Sequence, residues 1–129
     1  MSWQSPDNGA PVYLQIMDDV RRRIVSGEWA PGQRTPAVRE LAIEFGVNPN
    51  TMQRALSELE REGLVRSERT AGRFITDDAG IITDVRDRMA RQAAEAFLRQ
   101  MNGIGYGLPQ IIENLKSAEE IITQKEEKL

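Results

Sequence analysis

The sequence predicts a mainly α fold: a winged helix-turn-helix with a small two-stranded β wing, plus a carboxy-terminal antiparallel pair of helices. Three observations carry that expectation. Two segments of helical period are separated only by residues 46–48, a short β-type stretch follows the second, and two long amphipathic stretches flank the Gly-rich break "NGIGYG". The expected boundaries are 11–76 for the winged region and 77–129 for the extension.

Pro11 suits a first helical turn, and Val12, Tyr13, Ile16, Met17, Val20, Ile24 and Val25 recur at spacings of three and four. The two glycines and the proline of "GEWAPGQR" end that helix near Gly27. Thr35 is expected to cap a second, shorter helix with Pro36 at its first position, turning Val38, Leu41, Ala42 and Phe45 inward. Gly46 stops it. Asn48 and Pro49 then start a third helix, which Gly63 ends. Leu64–Ser67 and Arg73–Thr76 read as strands around a turn at Thr70, Ala71 and Gly72. After the linker "DDAG", a helix carries Ile82, Val85, Met89, Ala93, Ala96, Phe97 and Met101. A last one starts at Pro109 and carries Ile111, Ile112, Leu115, Ala118, Ile121 and Ile122. The apolar stripes of these two exceed what the pair can hide, so burial against the winged region or a second copy of the chain is expected.

Composition narrows the chemistry. At 129 residues the chain supports one modest core with an extension. It has no Cys and no His, which removes disulfides, the commonest metal ligand and the commonest general base; no catalytic residue, cofactor or metal is expected. Asp77, Asp78, Asp84 and Asp87 are better explained by helix capping and the helix dipole than by a cation. Met1–Pro11 shows no leader pattern and no apolar run reaches membrane-spanning length, so a cytoplasmic protein with no membrane partner is expected. The hinge "GIGYG" follows no strand and is no nucleotide loop; a small-molecule effector could bind near it, but no polar constellation there identifies one.

Charge is segregated. Residues 1–76 hold 10 Arg and 10 acids, whereas 77–129 hold 7 basic residues and 10 acids, which accounts for the net charge of -3. Attraction to nucleic acid would have to come from arrangement and not from bulk charge. The third helix supplies such an arrangement. At 100° per residue, Met52, Ala55, Leu56 and Leu59 form its core stripe, while Asn50, Gln53, Arg54, Ser57 and Arg61 lie opposite. Glu58, Glu60 and Glu62 fall to the flanks or towards the core. A helix fits the major groove, and Asn, Gln and Arg are the side chains that read base edges bidentately there, so the acid-free strip reads as a DNA-facing surface. The alternative is an exposed face of a winged-helix protein-interaction module that does not bind DNA. Arg39 on the preceding helix is placed for phosphate or base contact, or for an intrahelical pair with Glu44. Arg69 and Arg73 flank the wing tip, either as minor-groove or phosphate contacts or as ordinary strand-edge charges. Arg21, Arg22 and Arg23 are expected on the solvated outer face of the first helix.

The stretch "PVYLQIMDDVRRRIVSGEWAPGQRTPAVRELAIEFGVNPNTMQRALSELEREGLV" resembles the DNA-binding domain of the GntR family of bacterial regulators, and "VNPNT" with "RALSELEREGLV" resembles its short YtrA branch. The resemblance implies a homodimeric repressor, dimerised through two carboxy-terminal helices, on a two-fold symmetric operator in double-stranded DNA. By the same resemblance Arg39 matches the family's DNA-contacting arginine, Asn48, Asn50, Thr51 and Arg54 match the branch's recognition helix, and Gly72 matches the wing-tip glycine. Two departures stand out. Thr35 replaces the usual Leu before the helix-starting Pro, and "TAGRF" replaces Gly-x-Gly-Thr-Phe, so that Thr70 stands for a glycine and Arg73 adds a charge.

Overall fold

The computed structural model describes residues 9–128; residues 1–8, which include most of the segment without a leader pattern, and Leu129 lie outside them. The elements run α1 (Val12–Val25), α2 (Val38–Phe45), α3 (Pro49–Arg61), β1 (Val65–Glu68), β2 (Gly72–Ile75), α4 (Ala79–Gly103) and α5 (Leu108–Glu127). The fold is thus mainly helical with one two-stranded antiparallel sheet, a winged helix-turn-helix followed by two long helices. Among the described residues no helix is long and apolar enough to cross a membrane.

The chain divides into two compact units, one ending at Asp87 and the other beginning at Arg88, so the first turns of α4 belong with the winged unit. In that unit α3 packs against α1, α2 and β1. Ile16, Val20, Ile24, Leu41, Met52, Leu56, Leu59, Leu64 and Ile75 are fully buried there, each contributing about 1.5 to 3 kcal/mol by leaving water. Ile82 and Val85 of α4 are buried as well, and Arg86 donates from Nε to the carbonyl of Val25 at 2.9 Å. Asp78 Oδ1 accepts from the backbone N–H groups of Gly80 (2.9 Å) and Ile81 (3.3 Å), so it caps α4, the role that its place before a helix suggests.

Two local expectations need correction. Thr35 is not the cap of α2, which begins at Val38 after Ala37, without a side-chain cap. Thr35 is buried and binds the carbonyl of Arg73 through its N–H (2.9 Å) and hydroxyl (3.4 Å). The cause is a third extended segment: Gln33 accepts from the N–H of Ile75 at 2.8 Å and Arg34 bridges Phe74, so residues 33–35 run beside β2 and draw Thr35 into sheet pairing. Secondly, Arg21 and Arg23 are not a solvated face. Arg21 forms a two-bond pair with Glu62 (2.6 and 2.9 Å), and Arg23 bridges Asp19 and Glu44 beneath Trp29 and Phe45. The apolar stripe of α5 is largely bare within one chain, in line with its exceeding what the two helices can hide between them. In α5 only Ile111 is buried, at 1% exposure, whereas Leu115, Ile121 and Ile122 remain 51 to 55% exposed. Gly107 is the N-cap of α5, its N–H bonded to Gln110 Oε1 at 2.9 Å.

Candidate nucleic-acid interface

The turn between α2 and α3 is built from backbone preferences. Gly46 ends α2 at φ 67°, a conformation costly for residues with a Cβ. Two residues later Asn48 turns the chain into α3: its Oδ1 accepts from the N–H of Asn50 at 2.7 Å, and Pro49 occupies the first turn. Met52, Ala55, Leu56 and Leu59 are buried, which leaves Asn50, Gln53 and Arg54 exposed and Thr51 and Ser57 half-buried. The face predicted to be free of acids is therefore present and accessible.

Glu58 and Glu60 of α3 and Glu62 at its C-cap each face an arginine. Glu62 pairs with Arg21 of α1, whose pKa is raised because that hydrogen bond outweighs the effect of burial. Glu60 Oε1 accepts from Arg73 Nε and from the Ser67 hydroxyl, both at 2.5 Å. Burial alone would raise the pKa of Glu60, but Ser67 and Arg73 together hold it below the ordinary carboxylate value. Glu58 lies 3.9 Å from Arg61.

Ion pairing also sorts the ten arginines up to Thr76. Among the described residues Arg21, Arg22, Arg23, Arg61, Arg66 and Arg73 are in ion pairs, and Arg34, Arg39, Arg54 and Arg69 are in none. The four without a carboxylate belong to the helix-turn-helix and the wing, which concentrates uncompensated positive charge in a nearly neutral region. Glu44, a candidate partner for Arg39, is held by Arg23 instead. Arg39 is exposed beside a shallow depression formed with Ile43, Val47 and Pro49.

In the wing, β1 and β2 pair from Val65↔Ile75 to Glu68↔Gly72, leaving Arg69, Thr70 and Ala71 as the tip. Arg69 is exposed there. Gly72 has φ 99°, and a Cβ on it would lie 3.1 Å from Arg34 Nε, so both backbone conformation and space favour glycine. Arg73, the added charge, is not a free cation: its side chain is 16% exposed, it is bonded to Glu60, and its Nη1 donates to Gln53 Oε1 at 3.2 Å. Arg66 pairs with Glu68 and, at 3.5 Å, with Asp77. Among the predicted site residues, then, Gln53 and Arg73 are brought into contact, while Asn48 spends its carbonyl oxygen on the cap.

Two residues of this surface escape the sequence. Arg34 lies in a groove of about 490 Å³ with Thr35, Gly72 and Arg73, but "GQRT" carries no strand signal. Tyr13 fits the apolar period of α1, yet it is only half-buried and its ring lies 3.8 Å from Arg54 Cζ. No periodicity distinguishes an aromatic ring in a core from one beneath a cation.

A tight helix-turn-helix whose second helix packs beside a short wing defines the winged-helix class. The model of the family described as "Bacterial regulatory proteins, gntR family" matches residues 12–75. A relative from Bacillus subtilis, an uncharacterized HTH-type transcriptional regulator called YhcF, is 42% identical over 107 residues, covering 83% of this chain and 88% of the relative. The HTH-type transcriptional repressor YtrA of the same organism is 39% identical over 74 residues, 57% of each chain. Among solved structures, a GntR family transcriptional regulator from Listeria monocytogenes superposes with a TM-score of 0.80 at 34% identity, covering 87% of this chain and 98% of that one. The DNA-binding domain of AraR in complex with operator ORE1 gives 0.51 at 30% identity over 57% of this chain and 94% of that one. The chain belongs to the GntR family of bacterial transcriptional regulators.

Proposed function

We propose that the protein is a sequence-specific DNA-binding repressor that acts in the cytoplasm as a homodimer on a two-fold symmetric operator, with α3 in the major groove. The observation that carries this reading is the face of α3, where Asn50, Gln53 and Arg54 are exposed and free of carboxylate partners while Glu60 and Glu62 are neutralised by neighbouring elements. The proposed contact set is Arg39, Asn48, Asn50, Thr51, Gln53, Arg54, Arg69, Gly72 and Arg73. Within it Arg39 and Arg69 act on phosphates, Gly72 allows close backbone approach, and Arg73 aligns the wing with α3. The DNA-binding domain of AraR, which is similar in fold, is in complex with operator ORE1, and this supports DNA as the partner. Two-fold symmetry rests on the bare stripe of α5, which a second copy would cover.

Selection from random double-stranded DNA tests the proposal. A palindromic motif with half-sites about one duplex turn apart is expected. Absence of any enriched motif would place the chain among winged helices that bind protein. Arg54→Ala should then cost about 1 to 3 kcal/mol and relax preference at one base pair per half-site, measured by titrating operator variants.

A further inference from the structure

We infer that Tyr13 of α1 is a positioning residue for base reading, holding the Arg54 guanidinium flat against its ring so that the in-plane N–H donors face outward; this rests on the DNA-reading role of α3. Arg54 Cζ lies 3.8 Å from the ring centroid. That is near van der Waals contact, and it fits a guanidinium laid on the ring face, where the ring's negative potential attracts a cation. The other arginines near aromatic rings differ in both respects. Arg23 stands 5.0 and 5.5 Å from Phe45 and Trp29, and Arg66 stands 5.1 Å from Phe74, and both are also paired with carboxylates.

The difference has a chemical meaning. A carboxylate orients an arginine by consuming the forked donors and the charge that a guanine edge needs. An aromatic face uses only the π surface and leaves both available. Tyr13 is itself well placed to serve as a fixed platform. Ile16 and Met17, one turn on, are buried, and Gln15 Nε2 donates to the carbonyl of Ala10 at 2.7 Å just before the helix. Arg54 follows buried Met52 and precedes buried Ala55, so its backbone is equally fixed. The stack thereby orders a long side chain before DNA arrives, which lowers the entropy lost on binding.

The test uses the full chain and the motif that the wild-type protein selects. Tyr13→Phe keeps the ring and should bind within about 2-fold of wild type. Tyr13→Leu removes it and should weaken operator binding about 2- to 30-fold. The loss should fall on the base pair to which Arg54→Ala becomes indifferent, with the salt dependence unchanged. In an Arg54→Ala background, Tyr13→Leu should cost nothing further. Equal weakening at every base pair, or full additivity with Arg54→Ala, overturns the proposal and leaves Tyr13 a merely structural role. Should Tyr13→Leu fail to fold, wild-type protein still decides by NMR: the Arg54 side-chain protons are expected upfield through the ring current, and random-coil shifts overturn the stack. If the wild-type chain selects no motif, the regulator reading and this proposal fall together; a motif that Tyr13→Leu reads unchanged sinks the proposal alone.

Discussion

Arg73 on β2 donates from Nε to Oε1 of Glu60 on α3 at 2.5 Å, and its Nη1 reaches Gln53 Oε1 one helical stretch earlier at 3.2 Å. The wing and the third helix are thereby joined through side chains. One strand residue neutralises an acid of the helix and fixes which end of the Gln53 amide points away from it. Its Nε2 donates one N–H to the Ser57 hydroxyl at 3.5 Å, which leaves the second for a partner.

The Glu60 pairing should be visible in the pH dependence of stability. Its pKa is lowered on folding, so its stabilisation is present in full above the ordinary value of 4.5 and is lost as pH falls through the lower folded value. Glu60→Gln cannot titrate. The stability gap between wild type and this variant should therefore narrow below pH 4.5 in urea denaturation, and a gap constant down to about pH 3 would exclude the coupling.

Removing the α3 cap should destabilise without touching the core. Asn48→Ala leaves the N–H of Asn50 without its 2.7 Å acceptor and should cost about 1 kcal/mol in thermal or urea unfolding. Leu56→Ala, at a fully buried position, should cost about 2 to 5 kcal/mol by the same measurement. Equal losses from the two variants would contradict the packing described.

Arg39, which has no ion pair among the described residues, should act through phosphate. Arg39→Ala is expected to weaken binding to all sequences alike and to reduce the slope of log affinity against log salt by about 1. A loss confined to one base pair would instead assign Arg39 to base reading.

The apolar stripe of α5 should hold two copies together. Ile121→Glu, at a position 52% exposed within one chain, should shift the mass from light scattering at micromolar concentration from dimer to monomer while leaving circular dichroism of the winged unit intact. A monomer from the unmodified chain would remove the symmetric-operator model.

Much of the fold is legible in local patterns because each element carries its own punctuation. Asn48, Pro49, Gly46 and Gly63 delimit α2 and α3 whatever surrounds them, and the four apolar positions of α3 are all buried. What the pattern misreads depends on long-range partners. Thr35 looks like a cap until residues 33–35 pair with β2, and Arg21 and Arg23 look solvated until Glu62 and Glu44 arrive from the C-cap of α3 and from α2. The exposed stripe of α5 matches the expectation that the two long helices carry more apolar surface than they can cover between themselves. For the candidate surface, the outward positions of Asn50, Gln53 and Arg54 follow from helical geometry. The restraint on Arg73 and the stack on Tyr13 do not, since both are contacts between elements distant in sequence.

Arg66 stands beside Phe74 with Glu68 and Asp77 as its counter-charges. Substitution of both acids leaves a cation already installed in the wing, so a lineage carrying this regulator can strengthen its grip on a polyanion by erasing negative charge, with no new basic residue arising. Drift at acidic positions outside the reading helix is thus a tuning route open to natural selection.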